Sequence, residues 1–327
     1  MVEFLKVKEG KKDNVDWASF QSSKREIMNL YFEKKYEEGL KKSQQLIEKF
    51  PEFPETTYFY TACFYGLLNK REEALNSLKM GMEKGAWWTS QFLNSETDLD
   101  LLKDDPRFIE LGKRGDQILR EEETSPELLI SYSDNYNLNE EYIVLLILHW
   151  FSGNNLETRF FWDTLLKLRN DLILCFLQSS QICGKNRYCW DNWAMTRKEV
   201  LKAYNYLKTN LRIKETILAG VSQGATVAFR MTFNNFIRAD RLILVIPSIK
   251  SKEQISEIIE NVEQDVQEIS TLIFAGQKDT FYQGALQLDQ YIKEKRLKSK
   301  IYSYSNLGHS IPEDTIEKVN EFIEKNN

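Results

Sequence analysis

Ile217-Leu218-Ala219-Gly220-Val221-Ser222-Gln223-Gly224-Ala225 is the stretch on which the reading of this chain turns. The apolar run from Ile217 suits a parallel strand covered on both faces. Gly220 and Gly224 put small residues where a strand and the helix after it would crowd together. At so sharp a turn the serine occupies strained backbone, its Oγ stands clear of the sheet, and the N–H of Gln223 points at the same place. The stretch therefore predicts a nucleophile elbow, with Ser222 as nucleophile and the Gln223 amide as half of an oxyanion hole.

A serine hydroxyl is a poor nucleophile at neutral pH, so it needs an imidazole to take its proton and a carboxylate to orient that imidazole. The chain has only two histidines. His309, in Asn306-Leu307-Gly308-His309-Ser310, follows the last predicted strand and precedes the last helix, where the base of such a triad stands in chain order. The acid is expected after the strand between them. Thr271-Leu272-Ile273-Phe274-Ala275 is that strand, and Gly276-Gln277-Lys278-Asp279 follows it at once, so Asp279 is the candidate acid. Asp240 precedes a strand, Asp265 lies in an acidic segment ahead of Thr271, and Asp289 falls within a helix. His149 ends the run Tyr142–Leu148 and opens His149-Trp150-Phe151-Ser152-Gly153-Asn154. It reads as a structural histidine shaping a loop whose N–H at Phe151, or Trp150, faces the oxyanion beside Gln223.

Short apolar runs alternate with amphipathic helices from Leu128 onward, which predicts a mostly parallel α/β sheet flanked by helices. The candidate strands cover 128–133, 142–148, 171–178, 215–220, 242–246, 271–275 and 301–305. Thr196-x-x-Glu199 reads as a capping box opening one helix, and Ile316, Val319 and Ile323 stripe another that begins near Asp314. The first part of the chain is helical instead. Tyr36-Glu37-Glu38-Gly39-Leu40 echoes in Arg71-Glu72-Glu73-Ala74-Leu75, thirty-five positions later, a spacing that predicts stacked helix pairs. A further helical segment is expected in Leu101–Ile109. The polar run Arg120–Pro126 is the expected boundary, giving a helical domain over 1–125 and an α/β domain over 126–327. Trp87 and Trp88 are read either as an exposed patch or as rings wedged into a junction.

The stretch Ala62 to Leu75 resembles a tetratricopeptide repeat. The second half resembles the phospholipase/carboxylesterase family of small serine hydrolases, which includes acyl-protein thioesterases, and more broadly dienelactone-hydrolase relatives. The resemblance spans roughly Tyr142 to Ile323 and rests on Gly220-Val221-Ser222-Gln223-Gly224-Ala225, on Leu307-Gly308-His309-Ser310-Ile311-Pro312 and on Gly276-Gln277-Lys278-Asp279. Trp190-Asp191 is similar to a tryptophan-aspartate pair in the same region of that family. It implies an α/β-hydrolase fold and cleavage of esters or thioesters. Two departures stand out: Trp150 replaces the glycine usual after the loop histidine, and the acid loop is Gln-Lys-Asp where many members carry a second acidic residue. The long loop from Ser179 to Trp193 is expected near the strand ends, with His149, Trp190 and Trp193 as candidate substrate contacts, the two tryptophans reading equally as anchors of the loop.

Composition narrows the classes that remain. At 327 residues the chain is long enough for two cores. A net charge of -5 with mixed signs gives no nucleic-acid surface. Met1-Val2-Glu3-Phe4-Leu5-Lys6 reaches charge before a signal-peptide core forms, and the apolar run Tyr142–Phe151 is too short to span a bilayer, so a cytoplasmic protein without a membrane span is expected. Cys63 and Cys175, in apolar helical and strand-like runs, read as reduced core thiols, whereas Cys183 and Cys189 share a loop in which they could pair under oxidation. No cofactor or metal signature is found. The expected substrate is a small-molecule or acyl ester, with a serine peptidase or amidase as the alternative leaving-group chemistry. A different class is a helical-repeat module, binding a protein or peptide, whose α/β domain is catalytically idle.

Overall fold

The computed structural model describes residues 5–9, 16–259 and 268–324; Asp265 and Met1 to Phe4 lie outside them. By internal contacts the chain divides into two compact units. One gathers the described residues of Met1–Asp13, Ser125–Gln181 and Cys189–Asn327, the other Asn14–Thr124 and Ile182–Tyr188.

The first unit is an α/β-hydrolase fold built on eight strands. Among the described residues the strands of the whole chain are, in order, β1 (Lys6–Glu9), β2 (Glu127–Tyr132), β3 (Tyr142–Leu148), β4 (Leu172–Gln178), β5 (Ile182–Gly184), β6 (Arg187–Tyr188), β7 (Ile213–Val221), β8 (Arg241–Val245), β9 (Ser270–Gly276) and β10 (Lys298–Tyr304), of which β5 and β6 form a separate hairpin. The large sheet runs β1-β2-β4-β3-β7-β8-β9-β10. Every neighbouring pair is parallel except β2 with β4, which makes the sheet mostly parallel, as expected. Direction of a strand is not written in its apolar pattern, which is why β2 reads like the others. Along β3, Val144, Leu146 and Leu148 enter one core and Ile143, Leu145 and Ile147 the other. Both faces are therefore covered by helices, and the run is apolar at every position.

Chain order reverses beside β3. From β3 the chain moves outward to β4, then returns to lay β7 on the other flank of β3. The loops that leave the carboxyl ends of β3 and β7 are thereby set side by side, which is where open α/β sheets form ligand crevices.

The helical unit carries Trp17–Phe32, Tyr36–Lys49, Pro54–Leu67 and Arg71–Glu83 in sequence. The second and fourth begin at the two echoing segments. The turns before them repeat as well: Lys34 and Asn69, thirty-five apart, both take left-handed backbone, φ 59° and 57°. Phe20, Ile27, Leu40, Leu46, Phe50 and Phe64 form the core here, with the Phe20 and Phe53 rings stacked 4.3 Å apart. The further helical segment expected over Leu101–Ile109 falls on two elements: a 3-10 turn over Thr97–Leu102 ends, Asp105 accepts from the Arg107 N–H as a cap, and Pro106 starts a helix to Glu121. Trp87 and Trp88 are buried, and the Trp88 indole donates to the Glu55 carbonyl at 3.1 Å. The hairpin of β5 and β6 belongs to this unit, where Thr89 N–H donates to the Cys183 carbonyl and Lys185 N–H to the Trp87 carbonyl. All four cysteines are buried, and none of them is in a disulfide.

Candidate active site

Strand β7 ends at Val221 and the helix Gln223–Phe233 starts two residues later, leaving Ser222 alone at the turn. Its backbone takes φ 52°, ψ -113°, a conformation that costs a non-glycine residue about 1–3 kcal/mol and persists only when its surroundings impose it. Tight packing imposes it here. A Cβ at Gly220 would lie 2.2 Å from the Gly224 carbonyl oxygen, and one at Gly224 would lie 2.5 Å from the carbonyl oxygens of Leu148 and His149. Glycine at both positions lets helix, strand and the loop after β3 meet. The Ser222 N–H donates to the Val245 carbonyl on β8, and its carbonyl accepts from the N–H groups of Ala225 and Thr226.

Ser222 Oγ lies 2.7 Å from His309 Nε2, and His309 Nδ1 lies 2.6 Å from Asp279 Oδ2. With the ring proton on Nδ1 donated to the carboxylate, Nε2 is left to accept the serine hydroxyl. Asp279 is nearly buried, and its Oδ1 accepts from the Phe281 N–H at 3.0 Å, so both carboxylate oxygens are occupied. The loops carrying acid and base are tied together: Gln277 N–H donates to the Tyr304 carbonyl and Lys278 N–H to the Leu307 carbonyl. The Phe281 ring lies 5.2 Å from the His309 ring. The other aspartates do different work. Asp240 accepts from the Thr216 N–H at 2.8 Å, and Asp289 bonds Lys293 and Ser299.

The loop after β3 is held by a buried polar relay. His149 is fully buried, and desolvation pushes its pKa down to about 4, so it is neutral. Its Nδ1 donates to the Trp150 carbonyl at 2.8 Å and its Nε2 accepts from the Ser179 N–H at 3.3 Å. Behind it, the buried Glu199 carboxylate accepts from Ser179 Oγ at 3.0 Å and from the N–H and hydroxyl of Ser180. Glu199 is thus not the partner of a capping box. The helix starts at Trp193, capped by Asn192 accepting from Met195 N–H, and Thr196 and Glu199 are buried within it. The upstream Asn192 is the signal that separates the two readings.

Trp190 is buried too, stacked on His149 with centroids 4.6 Å apart, and the two occupy the core rather than a solvent-facing wall. Trp193 is partly exposed, with the Arg230 guanidinium 3.7 Å over its ring. The Trp150 ring packs on Phe161 and over Gly153, while Phe151 is exposed. Sequence reasoning did not find the side chain of Gln223, which accepts from the Trp190 N–H at 2.9 Å and donates to Asp191 at 2.7 Å. The helix that starts at Gln223 bonds its third and fourth amides, Ala225 and Thr226, to the Ser222 carbonyl, so the Gln223 and Gly224 amides are the ones at the serine's end of that helix. Among the described residues no group of three or more His, Cys, Asp or Glu could hold a metal, and no helix is long and apolar enough to cross a membrane.

No protein-family model matches the chain, and no curated protein matches it. Among solved structures it is similar to a Bacillus cereus protein described as uncharacterized, at 22% identity and a TM-score of 0.52, over 93% of this chain and 97% of that one. A Bacillus cereus carboxylesterase is 15% identical over 61% of this chain and 94% of its own, with a TM-score of 0.48. A fluorophosphonate-binding serine hydrolase of Staphylococcus aureus is 14% identical over 60% of this chain and 90% of its own, with a TM-score of 0.46. Likenesses this distant bear on fold alone, and the chemistry has to be argued from the residues of this chain.

Proposed function

We propose that this chain is a serine hydrolase cleaving carboxylic esters or thioesters through an acyl-enzyme. The observation that carries the reading is the chain of contacts from Ser222 Oγ to His309 Nε2 at 2.7 Å and from His309 Nδ1 to Asp279 Oδ2 at 2.6 Å, on a serine held at φ 52°. Ser222 attacks the substrate carbonyl while His309 Nε2 takes its proton, and Asp279 stabilises the imidazolium that results. The amides of Gln223 and of the loop after β3, at Phe151 or Trp150, hold the oxyanion of the tetrahedral intermediate. Collapse of that intermediate passes the proton from His309 to the departing alcohol or thiol. Water then enters, gives its proton to the same nitrogen and releases the acid.

An ester or thioester is favoured over an amide because an alkoxide or thiolate leaves with less help from the acid. The helical unit is read as a tetratricopeptide-like array whose partner would be a protein or peptide. A rapid-mixing experiment with p-nitrophenyl esters of increasing chain length tests the catalytic reading. Wild-type protein is expected to release a burst of p-nitrophenol stoichiometric with enzyme, or steady turnover that disappears in Ser222→Ala. Equal turnover in wild type and Ser222→Ala would reject it.

A further inference from the structure

Two peptide groups of the loop after β3 are held by side chains. A trans peptide is planar, with its C=O and N–H pointing opposite ways, so fixing a carbonyl also aims the N–H that follows it. The indole N–H of Trp190 donates to the His149 carbonyl at 2.9 Å. This fixes the direction of the Trp150 N–H, which shares that peptide plane. His149 Nδ1 does the same for the next peptide by donating to the Trp150 carbonyl, which fixes the Phe151 N–H. Trp190 also braces His149 itself, since the two rings stack. On its other side the backbone N–H of Trp190 holds the Gln223 side chain, directly after the nucleophile. A single residue therefore touches both the loop after β3 and the elbow. A buried tryptophan usually finds some acceptor for its N–H; here the acceptor is the carbonyl whose orientation sets a candidate oxyanion donor.

We propose that Trp190 is a positioning residue that fixes the spacing and aim of the two halves of the oxyanion hole. It touches no reacting atom and acts through the His149–Trp150 peptide and through Gln223. The proposal rests on the serine-hydrolase reading above. Its distinguishing feature is that the indole N–H, rather than the bulk of the ring, carries the effect.

The test uses the full-length protein with Trp190→Phe and with β-(3-benzothienyl)alanine at position 190, which keeps the shape of the indole and replaces its N–H by sulfur. Four quantities are read: labelling by a fluorophosphonate, kcat and KM on a p-nitrophenyl ester, inhibition by an aryl trifluoromethyl ketone, and thermal unfolding. The ketone reports the hole directly, because Ser222 Oγ adds to its carbonyl, His309 takes the proton, and the carbonyl oxygen becomes an oxyanion. Both variants are expected to fold and to be labelled. Their kcat should fall about tenfold or more with KM within about threefold, and ketone affinity should weaken by the factor lost in kcat/KM. The benzothienyl variant keeps the packing, so an effect confined to Trp190→Phe, or a change in KM alone, would overturn the proposal and leave the hydrolase reading standing. A wild type that neither labels nor turns over would instead remove the hydrolase reading and the proposal with it.

Discussion

Each unit of this protein buries a glutamate, and the two are treated differently. Glu199 in the sheet unit is 1% exposed and both of its oxygens accept from Ser179 and Ser180. Glu55 in the helical unit is 3% exposed; Oε1 accepts from Asn186 at 3.2 Å, while Oε2 is buried with no hydrogen-bond partner. Burial raises the Glu55 pKa above the usual glutamate range. A buried charge whose lone pairs are filled organises its surroundings, whereas one left half-satisfied costs stability. The satisfied one stands at the head of the relay through Ser179, His149 and Trp190 to Gln223, beside Ser222. The half-satisfied one lies in a unit to which no reaction chemistry is assigned.

The largest contrast is in activity. Asp279→Asn and His309→Ala are expected to lower kcat by about 10⁴ or more, since the first loses the carboxylate that fixes the tautomer and the second the base. Glu55→Gln should leave turnover of the same ester within about twofold. A Glu55→Gln loss comparable to that of Asp279→Asn would erase the functional distinction between the units.

Next comes stability. Glu199→Ala strips acceptors from two buried serines and is expected to cost about 4 kcal/mol by urea unfolding. A cost below about 1 kcal/mol would mean that the relay is not a structural requirement.

The pH dependence of the two units should have opposite sign. His149 titrates near 4 in the folded chain against an ordinary value of about 6.5, so the unfolded chain binds more protons between them. Its contribution is full above about pH 6.5 and is lost as pH falls toward 4, a change of roughly 3 kcal/mol below both values. His149→Asn should flatten that part of the stability curve. Asp98 in the helical unit is pushed up to about 7 by burial first and by Glu96 second, so there the folded chain binds more protons between the ordinary aspartate value and 7. Stability from that site falls as pH rises through this window, and Asp98→Asn should remove the fall. Urea unfolding of each variant from pH 4 to 8 checks both slopes.

The smallest effect is the reverse of the Glu199 result. Glu55→Gln removes the charge and keeps the shape, and at pH 7.5 it is expected to stabilise by about 1 kcal/mol. Destabilisation would show that the Glu55 charge is compensated after all.

What could be read in the sequence follows from what each element buries. Six of the seven long strands announce themselves because apolar runs are required on a sheet covered on both faces, whereas β10, at the sheet edge, carries only Ile301 and two tyrosines among polar residues. β1 does not, since all four of its residues are exposed, and it is held to β2 by its backbone ladder and the Lys8–Glu127 ion pair. The hairpin at Ile182 to Tyr188 is hidden for a related reason: Arg187 is buried there against the Glu55 carbonyl and the rings of Phe59 and Phe92, a use of arginine that no polar pattern signals. At the site, two histidines and a fixed chain order are enough to single out residues that lie within hydrogen-bond distance. The roles of Trp190 and Glu199 depend on which carbonyl or hydroxyl each meets after folding, and spacing along the chain carries no trace of that.

All of the proposed chemistry requires Ser222 to be an activated nucleophile. Incubation of the full-length protein with a fluorophosphonate, followed by peptide mass spectrometry, tests it most directly. One stoichiometric adduct on Ser222 is expected, formed in wild type and abolished by His309→Ala. An unmodified Ser222, or an adduct on another residue with Ser222 untouched, would contradict it.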